Sequence, residues 1–205
     1  MIPIAYTLAA LAAYYLMSNI LPVREIWVYQ TLFLLVPAVT AIRRFIPEPK
    51  QILSITKPFV APFLKIFGLS LVVSVSLNLL IPLWDHFFSA PEDLHDQIQK
   101  ILYTDSPLGI LRLIFTVGLF PAICEETLFR GYLQTALNKQ WGFRKALVAT
   151  SLIFAVGHLK PWLFPFYFLL GFFLGWCRNY RNNLYLPILA HWVNNVIALV
   201  VFKLF

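Results

Sequence analysis

Charge is scarce in this chain. Asp, Glu, Lys and Arg make up 12% of its 205 residues and hydrophobic residues make up 60%, whereas soluble domains have about 25% and roughly 45–50%. Two cysteines are too few for a disulfide framework. The sequence also lacks a glycine-rich phosphate loop and aromatic residues interleaved with basic ones, which argues against nucleotide or nucleic-acid partners. Composition therefore predicts a single integral membrane domain over residues 1–205.

Long uncharged runs are present instead. A membrane-spanning helix needs about 20 apolar residues, and no alternating pattern of about ten residues suggests a barrel. The runs are residues 2–21, 26–42, 66–84, 108–137, 144–158, 162–177 and 184–202. The predicted fold class is all-α, a polytopic transmembrane helical bundle of about seven spans. The first run has no preceding Lys or Arg and no cleavage site, so we expect it to be retained as an anchor.

The loops between these runs differ in charge. Basic residues collect after the second, fourth and sixth runs, whereas residues 85–105 are net acidic. The positive-inside rule therefore predicts a multi-pass protein of the cell inner or plasma membrane with a cytoplasmic N-terminus. Anionic lipid headgroups, and not nucleic acid, are the expected partners of the net charge of +7. Within the acidic segment, Leu94, Ile98 and Ile101 have the spacing of a short amphipathic surface helix.

Glu125 and Glu126 lie side by side in the fourth run. Each ionised group near the bilayer centre costs about 3 kcal/mol, so the pair predicts a polar functional site inside the protein. Arg130 follows Glu126 by one helical turn and can pair with it. Glu125 then points about 100° away around the helix, so the two carboxylates need not share a role.

Three further polar side chains lie on other runs. His158 ends the fifth run, and His191 and Asn195 are four residues apart on one face of the seventh, where they can address one substrate atom together. A membrane histidine alone often only bonds a neighbouring helix, and a Glu-Arg pair alone can be an internal strut. Two carboxylates, two histidines and an amide on three spans are harder to explain as independent struts, so together they predict a catalytic site.

These residues resemble the CPBP intramembrane proteases, which include the type II CaaX prenyl endopeptidases and the bacterial Abi or bacteriocin-processing proteins. The family's three motifs are Glu-Glu-x-x-x-Arg, Phe-x-x-x-His and His-x-x-x-Asn. They occur here, in order, as Glu125-Glu126 to Arg130, Phe154 to His158, and His191 to Asn195. The resemblance covers about residues 108–200, which are expected to form the catalytic core, whereas residues 1–107 match only in being hydrophobic and are expected to be a variable N-terminal part.

The resemblance implies an intramembrane endopeptidase whose active site lies in a conical cavity within the membrane. Glu125 would activate a water molecule as general base with help from His158. Glu126 with Arg130 would hold the site in shape. The implied substrate is a membrane-bound or lipidated peptide or protein.

The resemblance also implies that His191 and Asn195 donate hydrogen bonds to the oxyanion at the scissile carbonyl. Removing one such donor costs about 3–4 kcal/mol. An alternative uses Glu125, His158 and His191 as zinc ligands with a water as the fourth. Because no His-Glu-x-x-His pairing occurs on one helix, the metal-free interpretation, with no cofactor, is preferred. Two further hypotheses are a non-catalytic binding or immunity protein of this fold and a proton-coupled transporter.

Depth in the membrane raises one difficulty. At 1.5 Å per residue, Glu125 lies roughly 25 Å from the outer start of its span and His191 roughly 10 Å from an inner start, so both fall in the inner half. His158 would lie roughly 20 Å from the inner start of its own span. The helices are therefore expected to be staggered, bent or shifted in register, with Pro121 as the candidate kink.

Overall fold

The computed structural model describes residues 2–18, 26–49, 60–88, 102–104 and 106–204. Over these residues the chain is helical and has no strand, which confirms the all-α class. Seven main helices fall at the positions of the seven predicted spans. They are α1 (Ile2–Ser18), α2 (the consecutive pieces Ile26–Gln30, Thr31–Leu35 and Val36–Phe45), α3 (Val60–Asp85), α4 (Pro107–Trp141), α5 (Phe143–Gly157), α6 (Phe164–Tyr180) and α7 (Tyr185–Leu204).

Three of these helices, α3, α4 and α7, are long and apolar enough to cross a membrane, and α1 is a shorter apolar helix. This is the composition of a membrane protein. The crossing of the membrane by all seven helices, the orientation and the two-part domain organisation stay predictions. The amphipathic helix predicted at Leu94, Ile98 and Ile101 lies outside the described residues.

Proline shapes the two composite helices. In α4, residues Ile114–Leu119 form a π-helical segment just before Pro121, and the Phe120 N–H bonds to the carbonyl of Phe115, five residues back. Pro37 follows the π-helical piece of α2 in the same way. A proline has no N–H and its ring clashes with the carbonyl four residues earlier, and a widened turn relieves both problems. Pro121 was the candidate for a kink, and the structure has a π-helical segment just before it.

The segment Thr127–Gln134 of α4 is also π-helical, and all of its residues are buried. It contacts α1, α2, α5 and α6, so α4 runs through the centre of the bundle. Glu126 directly precedes this segment. Local geometry thus places the charged motif in the interior of the protein, away from its lipid-facing surface.

A surface groove of about 490 Å³ separates α3 from α6. We call it the α3–α6 groove. It is lined by Leu69, Val72, Val73, Ser76, Leu77, Leu169, Phe172, Phe173 and Trp176. None of the predicted site residues lines it, and the conical active-site cavity stays a prediction.

Candidate active site

Glu126 accepts two charged or polar partners on one oxygen. Its Oε1 lies 2.9 Å from Nη1 of Arg130 and 2.8 Å from Nδ1 of His191. The Glu126 and Arg130 side chains are fully buried, and that of His191 is nearly so. The spacing of four residues predicted the contact with Arg130, which forms although the residues that follow Glu126 are π-helical and not α-helical. The contact with His191 was not predicted.

Arg130 fixes this carboxylate to α5 and α6. Its Nη2 donates to the carbonyl of Gly171, 2.9 Å away, and its guanidinium carbon lies 4.5 Å from the centre of the Phe154 ring. A Cβ on Gly171 would lie 3.2 Å from that ring and 3.3 Å from the backbone of Ser151. Glycine therefore allows the close helix contact in which the guanidinium finds its second acceptor. A buried cation needs such partners, because its desolvation is costly.

A second polar contact repeats this one a turn further along. Gln134 lies four residues after Arg130 and donates from Nε2 to the carbonyl of Gly175, at 3.0 Å. Gly175 in turn lies four residues after Gly171. Two side chains of α4 thus bond two backbone carbonyls of α6, and they hold the two helices in register behind the site.

Glu125 and His158 form the more accessible part of the site. Oε2 of Glu125 lies 3.9 Å from Nε2 of His158, and the side chains are 18% and 23% exposed. This distance is too long for a direct hydrogen bond. Among the described residues, Oε2 of Glu125 has no hydrogen-bond partner. One water molecule within reach of both atoms would supply the missing bonds.

Two contacts orient the His158 ring. Its Nδ1 lies 2.8 Å from the carbonyl of Phe154, and its ring stacks on Tyr167 with the centroids 3.9 Å apart. An N–H at Nδ1 donates to that carbonyl, so a neutral ring presents its Nε2 lone pair to Glu125. The Phe-x-x-x-His spacing is what places the carbonyl there.

Glu125 and His158 lie at similar distances along the chain from the turn between α4 and α5. Helix α4 continues to Trp141, and the chain reverses at Gly142, whose φ of +75° favours glycine. Glu125 lies 17 residues before Gly142 (142 − 125) and His158 lies 16 residues after it (158 − 142). Both are therefore roughly 25 Å from the same turn at 1.5 Å per residue. Ending the span at residue 137 concealed this match.

His191 and Asn195 each have an internal partner. Besides the contact of His191 with Glu126, Nδ2 of Asn195 donates to the carbonyl of Gly118, 3.1 Å away. The two residues lie one turn apart on α7, as their spacing predicted. Beyond these contacts, His191 keeps its Nε2 atom and Asn195 keeps its second N–H for another hydrogen bond. Their joint action on one substrate atom stays a prediction.

The zinc alternative requires Glu125, His158 and His191 to converge. In the described part of the chain, no three or more His, Cys, Asp or Glu side chains form a group that could hold a metal ion. As positioned, these three residues do not fit a zinc site.

Sequence reasoning missed the backbone carbonyls and the ring that complete the site. The carbonyls of Gly118 and Gly171 accept from Asn195 and Arg130, and Tyr167 stacks on His158. The carbonyl of Gly157, next to His158, accepts from the Tyr15 hydroxyl of α1. Gly171 and Gly175, four residues apart in an aromatic helix, were the available signal for a close helix contact.

The chain is similar in sequence to known proteins. Residues 107–197 match the family described as Rce1-like, type II CAAX prenyl endopeptidase. A relative is YpbD of Bacillus subtilis (strain 168), an uncharacterized protein that is 34% identical over 134 residues. That match covers 62% of this chain and 62% of the relative, so the chain matches less than two thirds of that protein's length. No solved structure matches the chain.

Proposed function

We propose that the protein is an intramembrane endopeptidase, because residues 107–197 match the Rce1-like family of type II CAAX prenyl endopeptidases. Its proposed substrate is a membrane-associated protein or peptide that carries a prenyl group or another lipid. The proposed reaction is hydrolysis of one peptide bond by a water molecule that Glu125 activates. Glu125, Glu126, Arg130, His158, His191 and Asn195 are the proposed site residues.

The observation that carries the proposal is the contrast within the Glu pair. Each glutamate has an Oε2 atom without a hydrogen-bond partner among the described residues. Glu126, however, is fully buried and bonded through Oε1 to Arg130 and His191, whereas the Glu125 side chain is 18% exposed and faces His158 at 3.9 Å. A general base must reach a water molecule, so Glu125 is the carboxylate with the right surroundings.

In the proposed step, the water oxygen bonds to the scissile carbonyl carbon while Glu125 takes the water proton. The carbon–nitrogen bond then breaks, and the proton passes to the leaving nitrogen. His158 accepts a hydrogen bond from the same water through Nε2 and helps to orient it. Glu126 and Arg130, whose side chains are fully buried, hold the site in shape and take no part in the proton transfer.

Asn195 and His191 are the proposed hydrogen-bond donors to the oxyanion. Of the two, Asn195 can donate whatever its protonation state, because its amide always carries N–H groups. Its amide nitrogen carries two N–H groups, and the carbonyl of Gly118 takes one of them. His191 differs, because its Nδ1–H faces Glu126. A neutral ring in this tautomer presents a lone pair at Nε2, so His191 donates to an oxyanion only when doubly protonated. Glu126 would balance the charge of that ring.

The test uses the full chain in detergent micelles with a fluorogenic farnesylated peptide that ends in a Cys-a-a-X sequence. Glu125→Gln keeps the shape of the side chain and removes the base, so we expect turnover to fall by about 10²–10⁴-fold with normal insertion and purification. Glu48→Gln is the matched control, since Glu48 is an exposed carboxylate outside the matched core. Wild-type turnover in the Glu125 variant would contradict the base assignment.

A second experiment tests the class of substrate. Unprenylated and farnesylated forms of one peptide are compared, and the membrane peptidome of cells is compared with and without Glu125→Ala. A peptide that accumulates only in the variant cells is the candidate substrate. Equal cleavage of both forms would remove the prenyl requirement and leave the peptidase proposal standing.

A further inference from the structure

The α3–α6 groove has the chemistry of hydrocarbon along its length. All but one of its lining side chains are apolar, and Val72, Leu169 and Phe172 are exposed. Its volume of about 490 Å³ lies within the range of ligand sites, about 300–1,000 Å³. In a membrane such a groove takes an acyl chain. Apolar shape alone, however, does not say which lipid.

One end of the groove carries two cations. Three stacked aromatic rings lead from the groove to these cations: Phe173, Trp176 and Tyr180, with centroid spacings of 6.3 and 5.6 Å. At the end of this stack, Nζ of Lys65 lies 5.1 Å and the guanidinium carbon of Arg181 lies 5.5 Å from the Tyr180 ring centre. Both cations are exposed, and neither forms an ion pair with a carboxylate in the described part of the chain. Two cations beside an apolar groove are complementary to a phosphate attached to a hydrocarbon chain.

Aromatic rings lie beyond the opposite end of the groove. Nε1 of Trp84 donates to the carbonyl of Trp162, at 2.7 Å, and its ring meets Phe166 edge-on, with the centroids 5.7 Å apart. From Lys65 to Trp84, α3 extends 19 residues (84 − 65), roughly 28 Å at 1.5 Å per residue. This is close to the hydrocarbon thickness of a bilayer, about 30 Å. Cations and Trp rings thus lie where the two membrane interfaces would be.

From this juxtaposition we propose that the α3–α6 groove binds one anionic phospholipid. An acyl chain lies against Val72 and Phe172, and the phosphate lies between Lys65 and Arg181. Basic pockets between membrane helices bind anionic headgroups in this way. The site is separate from the catalytic one, because Gly171 and Gly175 face α4 on the other side of α6.

The test measures bound lipid and does not depend on peptidase activity. The full chain is equilibrated in micelles with equimolar dioleoylphosphatidylglycerol and dioleoylphosphatidylcholine, and retained lipid is counted by native mass spectrometry. The wild type should prefer the glycerol lipid. Lys65→Gln with Arg181→Gln should lower that preference about 30-fold, which corresponds to about 1 kcal/mol per cation.

Control variants distinguish loss of this lipid site from a general loss of positive charge and from misfolding. Arg144→Gln with Lys145→Gln removes two exposed cations elsewhere and should leave the preference unchanged. Lys65→Arg with Arg181→Lys should keep it as well. An equal loss in the Arg144 and Lys145 variant, or an unchanged preference without Lys65 and Arg181, would overturn the proposal.

The groove itself is tested by filling it. Ser76→Trp places a large ring among the lining residues and should abolish retention of both lipids, whereas Val75→Trp, one residue outside the lining, should not. Retention that survives Ser76→Trp would place the lipid elsewhere. Displacement of the glycerol lipid by a farnesylated peptide would assign the groove to a prenyl chain and overturn the choice of occupant.

Discussion

Glu125 and Glu126 are neighbours in sequence and differ in almost every physical respect. Glu126 is fully buried and shares one oxygen between Arg130 and His191. Glu125 is 18% exposed, and its Oε2 lies 3.9 Å from Nε2 of His158. Adjacent positions on one helix thus hold a carboxylate whose Oε1 bonds two buried side chains and a carboxylate that can still contact a water molecule.

The difference follows from what surrounds each side chain. Glu126 points to the centre of the bundle, where an unpaired charge is not tolerated, and Arg130 compensates it while donating its second bond to the Gly171 carbonyl. Glu125 points to α5, which ends at Gly157 and presents the His158 ring. If the comparison is right, changes around Glu126 should act on stability, and changes around Glu125 on turnover.

The largest effect is expected at Arg130. Arg130→Ala leaves Glu126 buried beside His191 alone, and breaking a buried pair costs about 3–5 kcal/mol of unfolding free energy. Thermal unfolding in detergent measures the loss, and activity should fall with it. Arg112→Ala is the control, because Arg112 is an exposed arginine of the same helix. Equal stability of the Arg130 variant and the wild type would show that Arg130 does not support Glu126.

A smaller effect, mainly on turnover, is expected at Asn195. If its amide stabilises the oxyanion, Asn195→Ala should lower kcat by about 10²–10³-fold with little change in KM. The neighbouring amide supplies the control, since Asn194→Ala removes the same group from another face of α7. A rise in KM at constant kcat would instead assign Asn195 to substrate binding.

The sequence predicted the local parts of this comparison. Arg130 lies within one turn of Glu126, and a fixed spacing determines such a contact whether the helix is α or π. His191 is 65 residues from Glu126 in sequence, so its Nδ1 contact depends on how α7 packs against α4. Periodicity does not encode which backbone carbonyls accept from side chains, and the Gly171 and Gly118 contacts were missed for that reason.

The Glu125 and His158 pair shows the same limit in a different way. Both residues were identified as candidates, but their common depth depends on where α4 ends. Hydropathy ended the span at Leu137 because Asn138 and Lys139 are polar, whereas the helix continues to Trp141 and the chain turns at Gly142. The sequence indicated that the element exists and left its boundary undetermined.

A still smaller effect is expected at Tyr167. Its ring stacks on His158 with an interplanar angle of 24°, and ring pairs of this kind contribute about 0.5–1.5 kcal/mol. Tyr167→Leu should therefore lower kcat by roughly 2–13-fold through a less well oriented His158, with KM unchanged. Tyr167→Phe keeps the ring and should restore the rate. If the Phe variant is as slow as the Leu variant, the hydroxyl matters and the stacking explanation fails.

The smallest expected effect is that of metal removal, which should leave turnover unchanged. Glu125, His158 and His191 do not converge on a zinc site as positioned, but His158 and His191 both hold Nδ1 against an internal acceptor and leave Nε2 available, so metal dependence is measured directly. Metal content and cleavage are measured in purified protein before and after a strong chelator. Stoichiometric zinc, with activity that the chelator abolishes and Zn²⁺ restores, would contradict the metal-free proposal. Glu125 would then be a zinc ligand, and Glu126 would orient the ligand His191.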